Sequence, residues 1–105
     1  MEHYFTYDER LEIEIPDFQE QWEEIPEEIQ HAILLKWEQI RGKIPDRIKD
    51  LEHSINKKQH RLSHEENFKI SCILNSEIAD LASIINDLWL WYRLTQNVSA
   101  GKAHQ

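Results

Sequence analysis

Apolar residues near the end of the chain recur at intervals of four and three, through Ile70, Leu74, Ile78, Leu81, Ile85, Leu88 and Tyr92. Ile73, Ile84 and Trp91 flank this line on one side, and Ala82 and Trp89 on the other. At about 100° per residue the set covers about half a helix circumference, wider than the stripe of an ordinary surface helix. The rhythm predicts a helix over 64–95. Its "LNSE" stretch (74–77) holds potential cap residues, but Ala79 stands where a capping box begun at Ser76 needs an acid or Gln, so continuity is favoured.

A narrower stripe precedes it: Ile44, Ile48, Leu51, Ile55 and Leu62, with Lys58 interrupting and everything opposite polar. That pattern predicts a helix over 45–62 with one buried seam. "SHEE" (63–66) reads as a capping box of Ser63 with Glu66, which places the turn beside Leu62 and makes 45–62 and 64–95 an antiparallel helical hairpin. Two earlier helices are predicted over about 17–24, with a capping box of Asp17 and Glu20, and about 26–41. The second ends at Gly42, read as a left-handed cap, and Leu34 and Leu35 lie off its stripe, suggesting burial on more than one side. Each of the three prolines follows an isoleucine and precedes an acid, at "IPDF", "IPEE" and "IPDR". Proline suits a first helical turn and acids suit its positive dipole end, so all three read as helix starts. "LEIEI" (11–15) alternates strictly, and "HYFTY" (3–7) puts His3, Phe5 and Tyr7 on one side, so residues 1–15 read as an extended arm or β-hairpin. A hairpin alone is marginal in water and must lie on the helices or on another chain. The end "NVSAGKAHQ" (97–105) reads as a frayed tail.

Length turns this pattern into an argument about assembly. About 32 residues of helix make a rod of about 48 Å, whereas a compact chain of this size has a radius of gyration of about 13 Å. The rod overhangs, and its protruding apolar arc calls for a second copy. Two such hairpins paired in a homodimer make a four-helix core.

Composition narrows the function classes. At 105 residues the chain is expected to be a single domain over 1–105. Its net charge of −8 disfavours nucleic acid and anionic lipid. "KIPDRIKDLEHSINKKQHRL" (43–62) is the one basic region, but acids interleave its lysines and arginines and it has no aromatic residue. A single cysteine, Cys72, excludes an intrachain disulfide and any CxxC motif. "MEHYFTYDER" lacks the basic start and apolar run of a signal peptide, and no apolar stretch approaches the roughly 20 residues that span a bilayer. A cytoplasmic protein without a membrane partner is the expectation.

The search for chemistry returns little. His60 and His64 have the i,i+4 spacing of a ligand pair, but the helix boundary expected at Ser63 separates them. Glu28 and His31 match the E-x-x-H of di-iron bundles, yet no second pair stands in a matching place. Cys72 shares the polar arc of the last helix with Ser76 and Ser83 and has no histidine in step. No HExxH, G-x-S-x-G, phosphate loop or dinucleotide fingerprint is present. Neither catalytic nor metal residues are assigned, and no cofactor is expected.

"NDLWLWYRL" (86–94) is the remaining concentration of unusual residues. It lacks the apolar span that a membrane belt accompanies and the convergent polar groups of a cofactor box. Core on one side and subunit interface on the other is the expected arrangement, with Ile84, Leu88, Trp89, Leu90, Trp91, Tyr92 and Leu94 as the candidate dimer or partner interface. The sequence thus points to a mainly α helical bundle and a non-enzymatic interaction or regulatory protein that acts as a homodimer and binds another protein. A metal-dependent helical-bundle enzyme of hydrolase type, using Glu and His ligands, is the alternative.

Overall fold

The computed structural model describes residues 2–94, and the tail at 97–105 lies outside them. The described chain is mainly α, with a two-stranded antiparallel hairpin at its start. Strand β1 (Phe5–Asp8) pairs with β2 (Ile13–Pro16) in the register Phe5 to Pro16 and Asp8 to Ile13. Three helices follow: α1 (Glu27–Arg41), α2 (Ile44–Ser63) and α3 (Phe68–Arg93).

The hairpin closes through Asp8. Its carbonyl accepts from the Glu12 N–H at 2.7 Å, and its carboxylate accepts from the Leu11 N–H at 2.8 Å. Glu12 takes the left-handed conformation (φ 60°) that this tight turn needs. Leu11, expected within the second strand, instead sits in the turn, which drives it inward to 3% exposure. Phe5 is buried beside it, while Tyr7 faces out. The hairpin lies on the helices, held by long side chains at its corners. Lys36 of α1 meets Glu14 at 3.2 Å and covers the Phe5 ring at 4.8 Å. Arg47 of α2 donates to the Leu11 carbonyl at 3.2 Å and pairs with Glu12. Arg10 reaches Asp87 and Ser83 of α3, each at 2.7 Å.

The helix expected at 17–24 does not form; only a 3-10 turn at Trp22–Glu24 appears. Asp17 is drawn into the hairpin instead of capping a helix. Its N–H donates to the Tyr4 carbonyl at 2.8 Å, and its carboxylate accepts from the Thr6 hydroxyl at 2.8 Å. Two of the three prolines do start helices: Pro26 occupies the cap of α1, and Pro45 the first turn of α2. Pro16 ends β2.

Gly42 is not a left-handed cap. Both Gly42 (φ −62°) and Lys43 (φ −92°) keep right-handed helical backbone, so α1 passes into α2 through a bend. Ile33, Trp37, Ile44, Ile48, Leu51 and Leu88 form the centre of the core. Of the two leucines outside the α1 stripe, Leu34 packs on this core but Leu35 stays 63% exposed, so α1 is not buried all round.

Helices α2 and α3 pack side by side as the antiparallel hairpin. Lys58, which broke the apolar stripe of α2, meets Glu77 of α3 at 3.0 Å. The turn between them differs from expectation. Ser63 is the last residue of α2, its hydroxyl donating to the His60 carbonyl at 2.7 Å, and α3 starts at Phe68 rather than 64. Asn67 supplies the cap, its side-chain oxygen accepting from the Ile70 N–H at 3.2 Å. Helix α3 then runs unbroken past Asn75 to Arg93. The described chain measures 59 × 25 × 21 Å, with a radius of gyration of 18.0 Å.

This reassignment of the cap is testable by urea denaturation. Asn67→Ala should lower stability by about 1 kcal/mol, the usual value of an N-cap side chain. Ser63→Ala, which removes only an exposed bond at a helix end, should cost less than about 0.5 kcal/mol. The reverse order would restore Ser63 as the cap.

Candidate interaction surface

The aromatic turn of α3 divides by helical phase. Leu88 is fully buried within the chain and belongs to the core, so it offers no surface to a second molecule. Ile84, Trp89, Trp91 and Tyr92 are partly buried and packed against that core. Leu90 (49% exposed) and Leu94 (38%) face outward.

Trp91 meets Trp37 of α1 edge to face, with centroids 5.8 Å apart and planes at 68°. Such a pair adds about 0.5–1.5 kcal/mol beyond its area. The buried Trp37 N–H has no hydrogen-bond partner among the described residues, so shape rather than polarity positions that ring. Tyr92 stands perpendicular to Trp89 at 5.5 Å and takes the Arg41 guanidinium over its face at 4.6 Å. The Glu38 carboxylate, 3.1 Å from Arg41, holds that guanidinium above its ordinary pKa and keeps its charge fixed over the ring. The aromatic turn is therefore the joint where α1 closes on the end of α3.

Sequence phase had singled out the C-terminal turns of α3, but the structure shows exposed apolar side chains at the other end too. Phe68 is 77% exposed, and Ile70 and Ile73 are also uncovered. Phe68, Cys72, Asn75, Ala79, Ser83, Asn86 and Leu90 all lie on the outward face, and all are exposed. They follow one another at intervals of four and three. That is the rhythm of a helix-packing stripe, and no member is itself charged, although the Arg10 guanidinium rests on Ser83 at 2.7 Å. The phase of Phe68 relative to Leu90, 22 residues or about six turns away, was the readable signal for it. Of the three acids of α3, Glu77 faces Lys58 and Asp87 faces Arg10, while Asp80 is exposed beside the stripe, one residue after Ala79.

Besides a groove of about 360 Å³ between Arg10, Asp80, Ser83 and Ile84, two more border these helices. One of about 570 Å³ runs between α2 and α3, lined by Glu52, Ile55, Asn56, Gln59, Ala82 and Ile85. The other, about 470 Å³, separates the hairpin from the end of α1, between Tyr7, Ile13, Ile40 and Lys43. Among the described residues no group of three or more His, Cys, Asp or Glu is placed to hold a metal ion. His31 stands 3.9 Å from Glu27, not beside Glu28, and Cys72 is a free, exposed thiol. Two of the basic residues of α2, Arg47 and Lys58, are engaged by acids of the hairpin and of α3. No described helix is long and apolar enough to cross a membrane. No family model, curated protein or solved structure compared with the chain matches it.

Neighbouring substitutions separate the joint from the outward face. Trp91→Ala should cost about 3 kcal/mol, at the lower end for large aromatics because the ring is only partly buried. Leu90→Ala should cost under about 1 kcal/mol. Denaturation followed by far-UV circular dichroism measures both, and equal effects would contradict this division of the aromatic turn.

Proposed function

We propose that the protein is a non-enzymatic interaction protein that works as a helical homodimer in the cytoplasm and binds another protein. The observation that carries this reading is the exposed, uncharged stripe on α3 in a chain of net charge −8. Two copies with that overall charge repel one another at long range, and a stripe without charged side chains adds no like-charge contact to that repulsion.

The stripe is also self-complementary about its middle. An antiparallel pairing centred on Ala79 sets Phe68 of each copy against Leu90 of the other and Cys72 against Asn86. Ala79 at the centre is small enough to let the two backbones approach, while Ser83, which holds the Arg10 guanidinium, comes opposite Asn75 of the other copy. Each copy contributes α2 and α3, giving four long helices in the assembly. The interface therefore uses Leu90 of the expected set together with Phe68, while Trp91 and Tyr92 support it from beneath. The groove between α2 and α3 at Ile55, Ala82 and Ile85 is left for the apolar face of another protein's helix.

Light scattering at micromolar concentration should return about twice the chain mass of 12.7 kDa. Ala79→Arg places a long cation where the helices meet, yet Ala79 is exposed in the single chain, so helicity should stay while the mass falls to that of a monomer. A wild-type chain that stays monomeric at every concentration sampled would overturn the proposal.

A further inference from the structure

We propose that His60 and His64 form a chelating site for a divalent transition-metal ion of the imidazole-favouring kind, such as Zn²⁺, at the tip of the α2–α3 hairpin. The site is independent of the proposed dimer, whose stripe lies on the outward face of α3. His60 lies in the last turn of α2 and His64 is the residue just past its end at Ser63, yet the two rings approach across that end, with centroids 4.7 Å apart and planes tilted by 51°.

That separation falls within the range that two ligands of one cation span. With metal–nitrogen bonds of about 2.1 Å and each imidazole centroid about 1.2 Å beyond its nitrogen, two neighbouring ligands place their centroids about 4.6–5.3 Å apart. The protonation of His64 also fits. Its Nδ1 lies 2.9 Å from the His60 carbonyl oxygen, which can only accept, so Nδ1 carries the proton. The Ser63 hydroxyl gives its one hydrogen to the same carbonyl at 2.7 Å, and its oxygen, 3.0 Å from Nδ1, is a second acceptor for that N–H. The lone pair of His64 is therefore on Nε2, away from the backbone.

A ring nitrogen anchored by a carbonyl while the other is left bare is the arrangement that prepares histidine for a metal. Here the anchoring carbonyl belongs to the other ligand of the pair, in the last turn of α2, where carbonyls lack helical partners. Glu65 is committed to the Asn67 N–H at 3.2 Å, so the chain supplies two nitrogens and water completes the shell. Imidazole pairs select Zn²⁺, Ni²⁺ and Cu²⁺ over Mg²⁺ or Ca²⁺. A bound ion would tie the last turn of α2 to the residue just past it and stiffen the turn into α3.

The test titrates ZnCl₂ into the tag-free full chain, after treatment with a chelator, and follows the histidine ring nitrogens by NMR. The His60 and His64 signals should move together and saturate at one ion per chain. His60→Ala or His64→Ala should weaken binding by about tenfold or more, because each removes the chelate and leaves a single ligand. His31→Ala and His53→Ala, equally exposed but without a facing ring, should change the affinity by less than about twofold. All four variants change exposed side chains, and circular dichroism confirms their helicity. Shifts spread evenly over the histidines, or an affinity indifferent to His60→Ala, would overturn the assignment.

Discussion

Helix α3 is longer than the body available to cover it, and most of the molecule's form follows from that constraint. Its inner seam is taken by α2 along the antiparallel hairpin, with Leu74 buried toward one end and Leu88 toward the other. Only the C-terminal half receives further cover, from α1 through Trp37 and from the β-hairpin through Arg10. The other half extends past α1 and leaves Phe68, Ile70 and Ile73 uncovered. An ordinary chain of this length would have a radius of gyration of about 13 Å, and this one reaches 18.0 Å over its described residues.

Charge is divided between the two long helices in a way that suits this shape. The solvent face of α2 carries lysines, arginines, acids and histidines, whereas the outward stripe of α3 carries none of them between Phe68 and Leu90. Opposite charges are used where separate elements must be held together. Arg10, Lys36 and Arg47 bind the hairpin to α3, α1 and α2 respectively. Each pair is partly exposed and modest in strength by itself. Their spread over three helices gives a marginal two-stranded hairpin a defined seat, with Phe5 and Leu11 buried beneath it.

The long helices were legible because their periodicity is strong over many turns. The Ile44, Ile48 and Leu51 seam is buried as its spacing required, and the overhang followed from rise per residue alone. What the sequence hid was the competition between local and distant partners. Asp17 and Glu20 have the spacing of a capping box, but Asp17 finds Thr6 and Tyr4 across the hairpin. Ser63 and Glu66 have it too, yet helix α2 continues through Ser63 and Asn67 caps the next helix. Gly42 can adopt a left-handed cap but is not obliged to, and here the chain bends while staying right-handed. The helix end expected between His60 and His64 is there, at Ser63, but spacing alone did not show that the two rings approach to 4.7 Å across it. On α3, phase sorted the partly buried Trp91 from the exposed Leu90, but the uncovered Phe68 end emerged only once the cover supplied by α1 was known.

The central claim is that the uncharged stripe of α3 pairs with itself in antiparallel fashion about Ala79. Cys72 is the only cysteine, it is exposed, and it lies on that stripe, so one spin label at the native position reports the pairing. Seven residues on each side of the two-fold axis separate the two Cys72 positions by about 21 Å along the helices. Pulsed dipolar spectroscopy on the labelled chain should therefore give a single population of distances between about 20 and 30 Å, the label arms included. An absence of dipolar coupling at micromolar concentration, or distances under about 15 Å from helices packed in parallel, would contradict the account.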